Sequence, residues 1–127
     1  MRALIVDDSR SLREYLRHLL ERMGIVCEEA DNGLEALRVL RSDQENGQEF
    51  DFMLLDVNMP VMNGMECIKA LREAELQPRM KVMMVTTEAD DAYIGQALDR
   101  GADEFLMKPF TSQSLREKLM LLGLAAA

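Results

Sequence analysis

Residues 50–73 read FDFMLLDVNMPVMNGMECIKALRE. The run Phe50–Leu55 is strand length and almost continuously apolar, as in a strand covered on both faces. It ends on a carboxylate, Asp56. A short loop carrying the turn signal Met59-Pro60 follows. Asn63 and Glu66 then stand at capping-box spacing, and Met65, Ile68 and Leu71 recur at helical spacing on one face. The stretch is one strand, one acidic tip and one amphipathic helix.

The same unit repeats outward in both directions. Strand-length runs lie at Arg2–Val6, Ile25–Glu29, Met80–Val85 and Ala102–Met107. After the first, Leu12, Tyr15, Leu16, Leu19, Leu20 and Met23 make one helical face, and Gly24 is a C′ residue. Asn32 and Glu35 repeat the capping box, and Leu34, Leu37 and Leu40 line the helix that follows. Thr111 caps a last helix through Leu115, Leu119 and Leu122. A fourth helix, about Asp91 to Arg100, has only Ile94, Ala97 and Leu98 as an apolar face, and Gly95 costs it about 1 kcal/mol relative to Ala. Ser42–Glu49 is polar and reads as a loop. Five strands alternating with five helices through short connections predict an α/β fold, (βα)₅, with a doubly wound parallel sheet. Ligands of such a sheet bind at the carboxyl ends of its strands.

Composition narrows the function. With 127 residues the chain fits one domain. The formal net charge of −8 repels phosphate backbones, so no nucleic-acid partner is expected. No stretch is long and apolar enough to span a membrane, and the chain runs from Met1 straight into a strand without a signal peptide. The two cysteines, Cys27 and Cys67, lie far apart in apolar stretches and read as core thiols, as suits a reducing cytoplasm.

The strand tips hold the chemistry. Strand one ends in Asp7 and Asp8, strand three in Asp56, strand four in Thr86 and Thr87, and strand five in Lys108-Pro109. All open on one edge of the sheet. Singly, each has a plain reading: Asp7 or Asp8 as a helix N-cap, Thr86 as a loop hydroxyl, Lys108 as a solvated lysine. Together, three carboxylates and one ammonium leave a local charge of −2, which one divalent cation cancels. Oxygen-only ligands with room for retained water favour Mg²⁺ over Ca²⁺.

Four pieces then carry a resemblance over essentially the whole chain: VDDS at Val6–Ser9, LLDVNMPVMNG at Leu54–Gly64, VTTEA at Val85–Ala89 and GADEFLMKPF at Gly101–Phe110. In this order, on the ends of strands one, three, four and five, they resemble the receiver domains of bacterial response regulators. The resemblance implies a receiver spanning residues 1–124 with a 125–127 tail, and a flavodoxin-like strand order of 2-1-3-4-5. It implies Asp56 as phosphoacceptor, taking a phosphoryl group from a sensor histidine kinase or a small phosphodonor. Asp7 and Asp8 would hold Mg²⁺ (Mn²⁺ as a substitute) with Asp56 and the Asn58 backbone carbonyl. Thr86 would turn its hydroxyl to the phosphoryl oxygens, and Lys108, with a cis bond to Pro109, would pair with them. Backbone N–H groups of Val57, Asn58 and Thr87 would complete an oxygen cage. Asn58 and Glu88 stand at positions that tune phosphoryl lifetime. Phe105, three residues before Lys108, would turn inward behind Thr86 and reshape the face of helix four, strand five and helix five. Many family members carry Tyr there, whose hydroxyl Phe lacks.

Within the family, MVTTEA (residues 84–89), MKPFT (107–111) and EKLMLLGL (117–124) look most like the chemotaxis regulators. That implies a stand-alone, monomeric, cytoplasmic regulator, phosphorylated by a chemotaxis-type kinase and binding the flagellar motor switch, with a phosphatase as a further partner. It would be a phosphoacceptor with autocatalytic phosphorylation and self-dephosphorylation, not an enzyme acting on other substrates. A phosphorelay intermediate or a non-flagellar target is the alternative within the family. A phosphatase with an aspartyl-phosphate intermediate would need an acid two residues after Asp56, where Asn58 stands. A nucleotide- or flavin-binding module would need a Gly-rich loop after strand one, where Asp7 and Asp8 stand.

Overall fold

In the computed structural model, which describes residues 1–87 and 94–124, ten elements alternate strictly. They are β1 (Arg2–Val6), α1 (Arg10–Glu21), β2 (Val26–Ala30), α2 (Gly33–Glu45), β3 (Phe52–Asp56), α3 (Gly64–Glu73), β4 (Lys81–Thr86), α4 (Ile94–Asp99), β5 (Glu104–Met107) and α5 (Ser112–Leu121). All four strand pairings are parallel, and the order is β2-β1-β3-β4-β5. The expected fold class and strand order are both observed.

Strand alternation sorts the core into two layers. Ala3, Ile5, Phe52, Leu54, Met83, Val85 and Leu106 face α1 and α5. Leu4, Val6, Met53, Leu55, Val82 and Met84 face α2, α3 and α4. β3 is buried at every position, as its unbroken apolar run demands. Cys27 and Cys67 are both buried and unpaired. Burial drives their thiols up to about 11 and about 12, so both stay protonated.

Helix caps follow the sequence. At Asn63 the box closes both ways, the side chain accepting from the Glu66 N–H at 2.9 Å and Glu66 accepting from the Asn63 N–H at 3.1 Å. At Asn32 the side chain accepts from the Glu35 N–H at 2.9 Å, whereas the Glu35 carboxylate pairs with Arg38 (3.4 Å). Thr111 caps α5 with Ser114 as its reciprocal partner.

Four expectations are corrected. The polar stretch from Ser42 is not all loop, since α2 runs on to Glu45. Asp43 there binds the guanidinium of Arg2 at 2.8 Å, and Gln44 Oε1 accepts from the Gln77 N–H at 2.6 Å. Tertiary partners thus hold a turn that lacks an apolar face. Leu34 and Leu98, read as part of the apolar lining of their helices, are 46% and 51% exposed. Tyr15, read on the apolar face of α1, is also largely exposed, but stacks on Phe110 with ring centroids 6.0 Å apart. The start of the expected fourth helix lies outside the described residues.

A polar clamp closes the end of the sheet away from the strand tips. Gln77 is 2% exposed and sits in the left-handed region at φ 49°. Its amide donates to the carbonyls of Leu40 (3.2 Å) and Gln48 (3.1 Å), and its Oε1 accepts from the Phe50 N–H at 3.1 Å. One side chain thus ties α2, the entry to β3 and the entry to β4.

Candidate functional site

The tips of β1, β3, β4 and β5 converge, because parallel strands in one sheet end on one edge. Asp7, Asp8 and Asp56 each present a carboxylate oxygen, all within 4.8 Å of one another. Asp7 and Asp56 are buried, at 2% and 5% exposure, while Asp8 is exposed. Lys108 reaches in from the loop after β5. Its Nζ lies 3.2 Å from Asp56 Oδ1 and 3.5 Å from Asp7 Oδ2, and its bond to Pro109 is cis.

The electrostatics follow from burial and crowding. Burial first, then the charge of Asp7, raises the Asp56 carboxyl to about 6, against the opposing pull of Lys108. Burial disfavours the Lys108 ammonium, but Asp56 and Asp7 outweigh it and its pKa is raised. The lysine is charged at neutral pH and offsets only one of three carboxylates.

Local backbone fixes these groups. The N-cap of α1 is Ser9, not either aspartate. Asp7 Oδ1 accepts from the Ser9 N–H at 2.8 Å, and the Asp7 carbonyl accepts from Arg13 Nη1 at 2.6 Å. Arg13 and Arg17 share Glu29 of β2, at 3.0 and 2.7 Å. Asp56 is fixed from below by Gly64, where a Cβ would overlap the Asp56 carbonyl oxygen and come within 3.0 Å of Val57 Cα.

Thr86 is 1% exposed at the end of β4. Its hydroxyl donates to the Thr87 carbonyl at 3.2 Å and to the thioether of Met107 at 3.8 Å. Phe105 is partly buried against the core. Asn58 is exposed on the loop after Asp56, and Glu88 lies outside the described residues. The Val57 N–H donates to the Val85 carbonyl at 3.2 Å. It is therefore committed to the sheet, which corrects the expectation that it joins the oxygen cage. Arg13, Ser9 and Met107 were not singled out by the sequence. A pattern of Asp7 followed six residues later by Arg13 on a capped helix was the signal for the first. Met107 carried none beyond its register opposite Thr86.

The family model of the response regulator receiver domain matches residues 3–120. The chain belongs to the response regulator receiver family. Among curated relatives of this receiver, the chemotaxis protein CheY of Pseudomonas aeruginosa is 39% identical over 120 residues, covering 94% of this chain and 93% of that protein. CheY-3 of Vibrio cholerae is 38% identical over 120 residues, 94% of this chain and 88% of that one. The solved structure of the Vibrio cholerae chemotaxis protein CheY4 superposes on this receiver with a TM-score of 0.80 at 35% identity, covering 98% of both chains. Receivers act as phosphoacceptors and switches, and this one carries an acidic pocket of the kind in which they bind Mg²⁺. Among the described residues, no helix is long and apolar enough to cross a membrane.

Proposed function

We propose that this receiver accepts a phosphoryl group on Asp56 from a sensor histidine kinase and uses it to switch binding of a downstream protein. The observation that carries the reading is the convergence of Asp7, Asp8, Asp56 and Lys108 at one sheet edge. Three oxygen ligands with one exposed member fit a hard cation that keeps water, so Asp7, Asp8, Asp56 and the Asn58 carbonyl would hold Mg²⁺ (or Mn²⁺). Such an ion supplies positive charge to the transferring phosphoryl oxygens.

The chain's own groups do the rest. An oxygen of Asp56 attacks phosphorus in line as the bond to the donor nitrogen breaks. Lys108, already 3.2 Å from Asp56, stays with the oxygen charge that develops. The backbones of Asn58 and Thr87 line the oxygen cage. Thr86 gives up its partners and turns its hydroxyl to the new oxygens, and Phe105 turns inward behind it. The face of α4, β5 and α5 then presents a different surface. Asn58 and Glu88 set how long the phosphoryl group lasts, and loss of the group is self-catalysed.

The near end-to-end match to chemotaxis proteins supports a chemotaxis role, and the reading completes it as a single-domain, cytoplasmic, monomeric regulator with its receiver at 1–124, a chemotaxis kinase upstream, the flagellar motor switch downstream and a phosphatase as antagonist. Incubation with acetyl phosphate and Mg²⁺ tests the core of the reading. Intact mass is expected to rise by one phosphoryl group, and Asp56→Asn to remain unmodified though folded. An adduct on that variant would place the acceptor elsewhere. A pull-down with beryllofluoride-treated and untreated protein tests the output: motor-switch protein retained equally by both would reject it as the switched target.

A further inference from the structure

The methionine thioether on Thr86 gives the crevice a group that neither phosphoryl transfer nor metal binding needs. β5 is one of the two edge strands of the sheet, and Met107, paired with Thr86 in the β4–β5 register, is 38% exposed on it. Of the methionines among the described residues, Met1 and Met120 are also exposed, but neither meets the site. Met53, Met80, Met83 and Met84 are sealed in the core at 2% exposure or less. A diffusible oxidant therefore meets Met107 early and the core methionines late.

We propose that Met107 is an oxidation site whose sulfoxide holds Thr86 in its resting orientation and so weakens the coupling of the switch to the phosphoryl group. This rests on the reading of Thr86 as the hydroxyl that turns to that group. The oxidant is a peroxide. A sulfur lone pair attacks one peroxide oxygen, the S–O bond forms and the O–O bond breaks. The hydroxide that leaves takes the proton remaining on the new oxygen and becomes water, so sulfur is oxidised and peroxide reduced. The product matters because a thioether is a weak acceptor and a sulfoxide oxygen a strong one. The 3.8 Å contact from Thr86 Oγ1 is loose for the first and close enough for the second to take over. Thr86, whose hydroxyl also reaches the Thr87 carbonyl at 3.2 Å, must then leave a strong acceptor in place of the weak thioether before it reaches the phosphoryl oxygens.

The test uses the full chain, limiting hydrogen peroxide, peptide mass spectrometry to locate sulfoxide, and NMR titration with beryllofluoride in Mg²⁺. Met107 is expected to oxidise with Met1 and Met120 and before Met53 or Met83. Oxidised protein is expected to bind beryllofluoride about three- to tenfold more weakly, with affinity restored by methionine sulfoxide reductases. Met107→Leu protein is expected to keep one affinity before and after peroxide. Unchanged affinity with Met107 fully oxidised, or an equal loss in Met107→Leu, would overturn the proposal while leaving phosphorylation at Asp56 intact. Failure of the unoxidised protein to bind beryllofluoride would overturn both readings together.

Discussion

Asp56 holds its proton to about pH 6 because the folded chain buries it beside Asp7. Unfolded, the same carboxyl titrates near 3.8. Between those values the native state binds the proton and the unfolded chain does not. Stability in the presence of EDTA is therefore expected to fall as pH rises from about 4 through about 6, and to stay lower above it. Asp56→Asn should flatten that segment in urea melts and gain about 1–3 kcal/mol at pH 7, since each tenfold change in proton affinity on folding corresponds to about 1.4 kcal/mol. A residue with a strained backbone lies five positions on. Val61 is β-branched, 75% exposed and held at φ 68°, where a Cβ meets the following carbonyl. Little of its side chain is packed to offset that strain. Val61→Asn is expected to raise stability by about 0.5–1 kcal/mol in the same melts, because Asn tolerates the left-handed region. A loss of stability would mean that Val61 packs where its exposure suggests it does not.

At the scale of elements, the clamp at Gln77 decides how α2, β3 and β4 are joined. Gln77→Ala leaves the buried Phe50 N–H without its acceptor and is expected to cost about 2–4 kcal/mol, measured by thermal or urea unfolding. Hydrogen exchange should quicken first at Phe50 and the end of α2, not at the strand tips. Nothing in the sequence marked this glutamine, because Gln-Pro-Arg at residues 77–79 has the look of an ordinary turn. The strands and caps were legible for the opposite reason. Phe52–Asp56 reads as buried on both faces from composition alone, and Asn63 with Glu66 fixes a helix start without tertiary help. Helix length was less legible. The last turn of α2 is held by Arg2 and Gln77, residues 41 and 33 positions away from the partners they bind. Leu34 and Leu98 misled because periodicity gives a face but not what the face meets.

For the molecule as a whole, three carboxylates against one lysine make the unliganded form electrostatically frustrated. Mg²⁺ is expected to stabilise the fold, by about 2.7 kcal/mol at a hundredfold excess over its dissociation constant. Calorimetry with Mg²⁺ and with EDTA checks this, and identical melting temperatures would remove the metal from the site. The residues of this crevice were legible because four strand tips share one edge. What stayed hidden was support that depends on distances: Arg13 under Asp7, Gly64 under Asp56, Met107 against Thr86. The layering of the helices bears on signalling. Asp7 and Lys108 lead into α1 and α5, which pack on one face of the sheet, while Asp56 leads into α3 on the other. The lysine ammonium spans that divide. A change of charge at a single oxygen is therefore felt by both sides of the slab at once, so a protein clasping one broad side can learn what has happened to a protein clasping the other without the two ever meeting.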